Sequence, residues 1–236
     1  MGFFSSIGSA ISGALSTAGR VVSGLVSGLA GSIGGAISKL APNIIKPFLG
    51  LGIGEILIAT QIIVTVIGAI ANMLGVKEEN ESPEEIGMKA EEAEKKPENF
   101  DSYQEYINYL RKEVQIDKTK LDNLSPEDKI KYGVVGSAIL VKGIEEKEKF
   151  EIPAEFVAEI GKQNMSIEET RQYIQGFKSE NIQLKDFVNY LKGTVQDKLY
   201  EKVGNAIEYA IRDLNPEISD QDLDRKIVNM KKTARE

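Results

Sequence analysis

The chain has 236 residues, with 29 Lys and Arg against 36 Asp and Glu, a formal net charge of −7 at pH 7. That balance excludes a general affinity for nucleic acid backbones, which requires a basic surface. Cys, His and Trp are absent, which excludes disulfide staples, thiol nucleophiles, His-based acid–base pairs and zinc sites built on Cys or His.

The averages conceal two unlike halves. Up to Val76 the only charged side chains are Arg20, Lys39, Lys46 and Glu55, whereas the chain from Lys77 onward carries 26 basic and 35 acidic groups. Fourteen of the 22 glycines lie at or before Val76, and all eight tyrosines lie beyond it. The composition therefore divides the chain into an apolar segment over 1–76, an acidic linker over 77–99 and a charged domain over 100–236.

In the apolar segment, Ile7, Ile11, Leu15, Val22, Leu25, Val26, Leu29, Ile33, Ile37 and Leu40 recur at helical spacing, which puts them on one face of a helix. Gly, Ser and Ala fill the other face. Gly24 and Gly28 form one G-x-x-x-G pair, and Gly31 and Gly35 a second; small residues at this interval let helix backbones approach closely in lipid. Eight interior glycines cost roughly 8 kcal/mol relative to alanine, which rivals the stability of a small domain. Such a helix is ordered by lipid, by other copies of itself or by a closely fitting partner. Residues 56–76 carry no charge and are long enough as a helix to cross the roughly 30 Å hydrocarbon layer. Ile56, Ile62, Ile63, Val66, Ile67 and Ile70 mark that span. A central helix buried in a large assembly would show the same composition. The first charge is Arg20, so no basic leading region marks a secretory signal. Met1-Gly2-Phe3-Phe4-Ser5-Ser6 fits the bare myristoylation pattern, apart from the bulky aromatic after Gly2.

This Gly/Ser/Ala-rich, helix-periodic N-terminus followed by an apolar span resembles the pilot and ejection proteins of small bacteriophages and the minor penetration proteins of some animal viruses. The resemblance covers the stretch from Met1 to Gly75 and is one of composition, without a diagnostic motif. It implies insertion into or across a membrane when a particle delivers its genome.

Residues 77–99 hold nine acidic and four basic groups and two prolines, and read as a solvated linker with a nascent helix near 86–95. Beyond it, Ser102-x-x-Glu105 and Ser166-x-x-Glu169 predict capping boxes, Ser125-Pro126 a helix start, and Ser219 another. No run alternates as a strand does. The expected fold class is all-α, with five to seven helices over 100–236.

This domain also repeats itself. Residues 106–115 match 187–196, including Asn108, Tyr109 and Leu110 against Asn189, Tyr190 and Leu191; the Tyr132–Ile139 pattern matches Tyr200–Ile207, with Gly136 against Gly204. Ten of eighteen compared positions are identical, which predicts a duplicated helical unit near 100–163 and 182–236.

Catalytic patterns are lacking. Asp220-Gln221-Asp222-Leu223-Asp224 opens like a calcium loop, but Arg225 and Lys231 stand where such a loop needs Gly and Glu. No phosphate-binding loop is present, and the paired carboxylates sit on highly charged helices. The expectation is a non-enzymatic membrane-inserting structural component of a virus, phage or phage-like particle, without cofactor or metal. Its partners would be the lipid membrane, its own copies and other particle proteins, and its location membrane or particle. The alternatives are a pore-forming toxin or bacteriocin-type effector, and a membrane-anchored adaptor.

Overall fold

The computed structural model describes residues 24, 35–48 and 50–236. Eleven α-helices fill these residues, with no strand among them: α1 (Gly35–Ile45), α2 (Ile53–Met73), α3 (Pro83–Glu92), α4 (Tyr103–Glu113), α5 (Lys118–Asp122), α6 (Pro126–Glu148), α7 (Ala154–Lys162), α8 (Ile167–Ser179), α9 (Leu184–Lys192), α10 (Asp197–Leu214) and α11 (Asp220–Arg235). The all-α expectation holds. Eight helices occupy 100–236 where five to seven were expected, and α5 is only five residues long.

Local chemistry sets most boundaries. The hydroxyls of Ser82, Ser102, Ser125, Ser166 and Ser219 accept the N–H three residues on at the starts of α3, α4, α6, α8 and α11, which satisfies amides the helices leave open. The box is reciprocal at Ser166, where Glu169 accepts the Ser166 N–H. At Ser102 the carboxylate of Glu105 instead takes the Asp101 N–H. Left-handed residues close the other ends. Gly75 (φ +68) lets its own N–H reach the Asn72 carbonyl and the Val76 N–H reach Ala71, the paired C-terminal bonds that end a helix with a reversal. Asn164, Asn181 and Gly193 adopt positive φ just after α7, α8 and α9.

The long helix α6 is the axis of the fold: every residue from Tyr132 to Val141 is buried. Helices α1, α2, α3 and α4 pack around it, α2 continues onto α7 and α8, and α8–α10 and α9–α11 pair beyond. A knot of rings ties this second group together, with Phe187 set 5.4 Å from Phe156, 4.8 Å from Tyr173 and 5.8 Å from Phe177. One continuous apolar core runs from Ile37 to Ala234. The compositional break at Val76 is therefore not a break in packing, since α1 and α2 share their core with 100–236.

The acidic stretch 77–99 departs from its expected form as a solvated linker. Helix α3 lies within it, with Ile86, Gly87, Met88 and Ala90 buried, and packs closely along α6. The cause is small size, not large apolar area: Gly87 meets the Tyr132 backbone, and Gly136 meets that of Pro83. The acids of α3 point outward or pair, as Glu85 does with Lys89 (2.7 Å) and Glu91 with Lys131.

Candidate functional site

Helix α2 begins at Gly52, whose N–H donates to the Glu55 carboxylate (2.8 Å); this acid in the first turn also suits the helix dipole. The 21 residues of α2 span about 30 Å at 1.5 Å per residue, so it is long and apolar enough to cross a membrane. Its faces differ. Ile56, Ile63, Val66, Ile67 and Ile70 are buried against the chain's own helices, and Ile62 is half-buried. The uncovered stripe consists of Gly54, Glu55, Ile58, Gln61, Thr65 and Met73, with Ile58 60% and Met73 55% exposed. Five of the six residues singled out in the sequence thus line the protein core, and the exposed apolar positions are others. Apolar periodicity did not separate the faces, because Ile58 and Met73 stand on the uncovered side among its polar residues.

The seam between α2 and α6 is close. A Cβ on Gly133 would stand 2.8 Å from Val64 Cγ2 and 3.2 Å from Thr60 Cγ2, and one on Gly161 of α7 would lie 2.9 Å from the Ala59 carbonyl oxygen. Two hydroxyls at the heart of the fold, Thr60 of α2 and Ser137 of α6, are buried without a hydrogen-bond partner among the described residues.

Past the end of α2 a polar clamp holds the chain. Lys77 Nζ donates to the carbonyls of Glu78 (2.6 Å), Glu81 (2.7 Å) and Glu79 (3.4 Å). Burial pulls this ammonium below the ordinary lysine value, against the opposing influence of Glu81. Arg111 of α4 forks onto Glu81 (Nη2 to Oε2, 2.9 Å), approaches Glu78 (3.5 Å) and donates to the Val76 carbonyl (3.4 Å). Arg111 and Glu81 keep only 16% and 7% of their side-chain surface exposed. The sequence showed these only as members of a charge run.

Of the four glycines expected to pack helices between copies, two are among the described residues. Gly24 is helical and exposed, Gly28 and Gly31 lie outside the described residues, and Gly35 opens α1 with its N–H on the Glu98 carboxylate. Among the described residues backbone meets backbone at Gly87, Gly136 and Gly161, and Gly133 and Gly143 meet side chains closely. The sequence signal for three of these was the spacing of 133, 136 and 143 along one helix.

The repeated motif occupies corresponding helices, α4 then α6 and α9 then α10. Tyr106 and Phe187, Ile107 and Val188, Leu110 and Leu191, Val135 and Val203, Ala138 and Ala206, and Ile139 and Ile207 are buried in both. Other positions diverge. Gly136 meets backbone, whereas Gly204 meets the Tyr190 ring. Asn108 Oδ1 accepts from Arg111 (3.0 Å), whereas the Asn189 carbonyl accepts from the Thr194 N–H (2.8 Å). Each tyrosine has a lysine over its ring, Lys95 5.5 Å from Tyr109 and Lys231 4.0 Å from Tyr190. Lys231 also donates to the Tyr200 hydroxyl (3.3 Å) and, with its charge, lowers the Tyr200 phenol below its ordinary value.

Asp220 and Asp222 serve α11: Asp220 pairs with Arg212 (2.5 Å), and Asp222 with Arg225 (2.8 Å) and the Ser219 hydroxyl (2.8 Å). Among the described residues no group of three or more acids is placed to hold a metal ion. No protein-family model, curated protein or solved structure matches the chain.

Proposed function

We propose that this chain is a non-enzymatic membrane-inserting protein, a structural component of a virus, phage or phage-like particle that assists membrane penetration. Residues 1–34 and α2 are its lipid-facing parts, and helices α3 to α11 anchor them to the rest of the assembly. Gly24, Gly28, Gly31 and Gly35 supply the contact between copies, and the α4–α6 and α9–α10 pairs are copies of one helical unit that present similar docking faces.

The observation that carries the reading is α2: a 21-residue helix with one apolar face packed on α6 and the other open at Ile58 and Met73. Lipid tails are as apolar as the α6 seam, so moving α2 from protein to bilayer gives up little hydrophobic stabilisation. The particle assignment rests on the compositional resemblance of the stretch from Met1 to Gly75. A pore-forming effector is the second reading. The packing of α2 inside its own bundle favours it, because a released protein has to keep such a helix covered until it meets lipid.

The test is co-flotation and dye release with liposomes, using the full chain and the double variant Ile58→Lys, Met73→Lys. Each lysine placed in hydrocarbon costs about 3 kcal/mol, so the variant should stay in solution while the parent floats. A parent chain that never floats would overturn the membrane reading. Leakage by the purified protein alone would favour the effector, and flotation without leakage an anchor.

A further inference from the structure

The uncovered stripe of α2 ends in a cavity of about 100 Å³ walled by Ile70, Met73, Leu74, Ile144 and Ile174. Its rim carries Arg171, Gln175 and Glu148. Glu148 is committed to Lys178 (2.8 Å), whereas Arg171 makes no ion pair among the described residues, not even with Glu168 one turn away. An apolar cleft, the exposed Met73 and an uncommitted guanidinium thus meet at one end of α2. We infer that this cleft receives an anionic phospholipid of the bilayer, with its phosphate on Arg171 and the start of one acyl chain among Ile70, Met73 and Ile174. The inference rests on the membrane reading above and gives that reading a headgroup preference.

The chemistry follows from the parts. A guanidinium presents a planar fork that suits phosphate oxygens, and Gln175 lines the same rim; the phosphate of phosphatidylcholine is already neutralised by its own ammonium, so the fork favours a headgroup whose phosphate charge is uncompensated. The cavity is small, so only a few methylenes enter, and the remainder of the chain passes over the exposed Met73 into the bilayer. The charge complementarity is local. A net −7 chain is repelled overall by an anionic surface, so a preference for such lipid has to come from a specific contact.

The experiment compares co-flotation of the full-length protein with phosphatidylcholine vesicles and with mixed phosphatidylcholine–phosphatidylglycerol vesicles. One arginine at an anionic surface is worth about fivefold in partitioning. The expected result is a preference of that size for the mixed vesicles, lost in Arg171→Gln and kept in Arg171→Lys. Arg225→Gln, which removes the same charge from α11, should keep the preference. Equal flotation of the parent on both vesicles would overturn the headgroup site and leave the membrane reading standing. A preference that survives Arg171→Gln, or falls equally in Arg225→Gln, would also overturn it. No flotation on either vesicle would remove both.

Discussion

Replacing Gly136 with alanine puts a methyl group where α3 passes closest to α6. The new Cβ would stand 1.7 Å from the Pro83 carbonyl oxygen and 2.5 Å from its carbonyl carbon, against the 3.4–4 Å of an ordinary contact. The obstacle is backbone, so no rotamer change relieves it, and α3 has to retreat along the line of contact until that ordinary spacing is restored. The retreat also parts Gly87 from the Tyr132 carbonyl, which a Cβ on Gly87 would approach to 2.1 Å. Overpacking of this kind costs about 3 kcal/mol, and the better helix propensity of alanine returns about 1 kcal/mol. The net loss is about 2 kcal/mol. At about 2–4 °C per kcal/mol for a chain of this size, Tm falls by about 4–8 °C. The matched control is Gly176→Ala in α8, where a Cβ meets nothing within 4 Å; there the propensity gain stands alone, and stability rises by about 1 kcal/mol. Thermal and urea unfolding followed by circular dichroism read both. If the two variants shift stability in the same direction by similar amounts, the close crossing of α3 and α6 is wrong.

The polar clamp and the tyrosine–lysine cluster give two further expectations. Arg111→Met leaves Glu81 buried beside Lys77 without its forked partner, and should cost about 3 kcal/mol in urea unfolding; a loss below about 0.5 kcal/mol would mean that the pair is solvated. In an alkaline titration followed by near-ultraviolet absorbance, Tyr200 should ionise before the buried tyrosines, because Lys231 favours its phenolate while burial raises Tyr106 and Tyr173. Its folded value lies below the unfolded one, so this contribution to stability is present above the ordinary phenol value and is lost as pH falls through the folded value. Lys231→Met should abolish the early step; an unchanged curve would show that Lys231 does not act on Tyr200.

The helix starts at Ser125, Ser166 and Ser219 were legible in the sequence because each is a local pattern whose partners lie within one turn. Helix α3 was legible only as a nascent helix near 86–95, and its burial was hidden. Its buried face is Ile86, Gly87 and Ala90, and a small-residue face registers as low apolar content when only large side chains are weighed. Helix α2 posed the opposite difficulty, since Ile58 and Met73 stand among the polar outer residues Glu55, Gln61 and Thr65, and large apolar side chains alone do not tell Ile63, inside, from Ile58, outside. The Arg111–Glu81 pair joins residues thirty positions apart, and nothing local distinguishes it from the many exposed pairs around it.

The order of the helices along the chain sets a schedule for α2. It ends at Met73, whereas its main packing partner, α6, ends only at Glu148. At about 5–20 residues per second of synthesis, α2 waits roughly 4–15 s for the surface that covers Ile63 and Ile67. During that interval a 21-residue apolar helix is available to any other apolar phase within reach, whether a chaperone groove or a translocon gate. The covering of α2 is therefore complete only after Glu148 has been made, and the rate of synthesis between Met73 and Glu148 sets how long the helix waits.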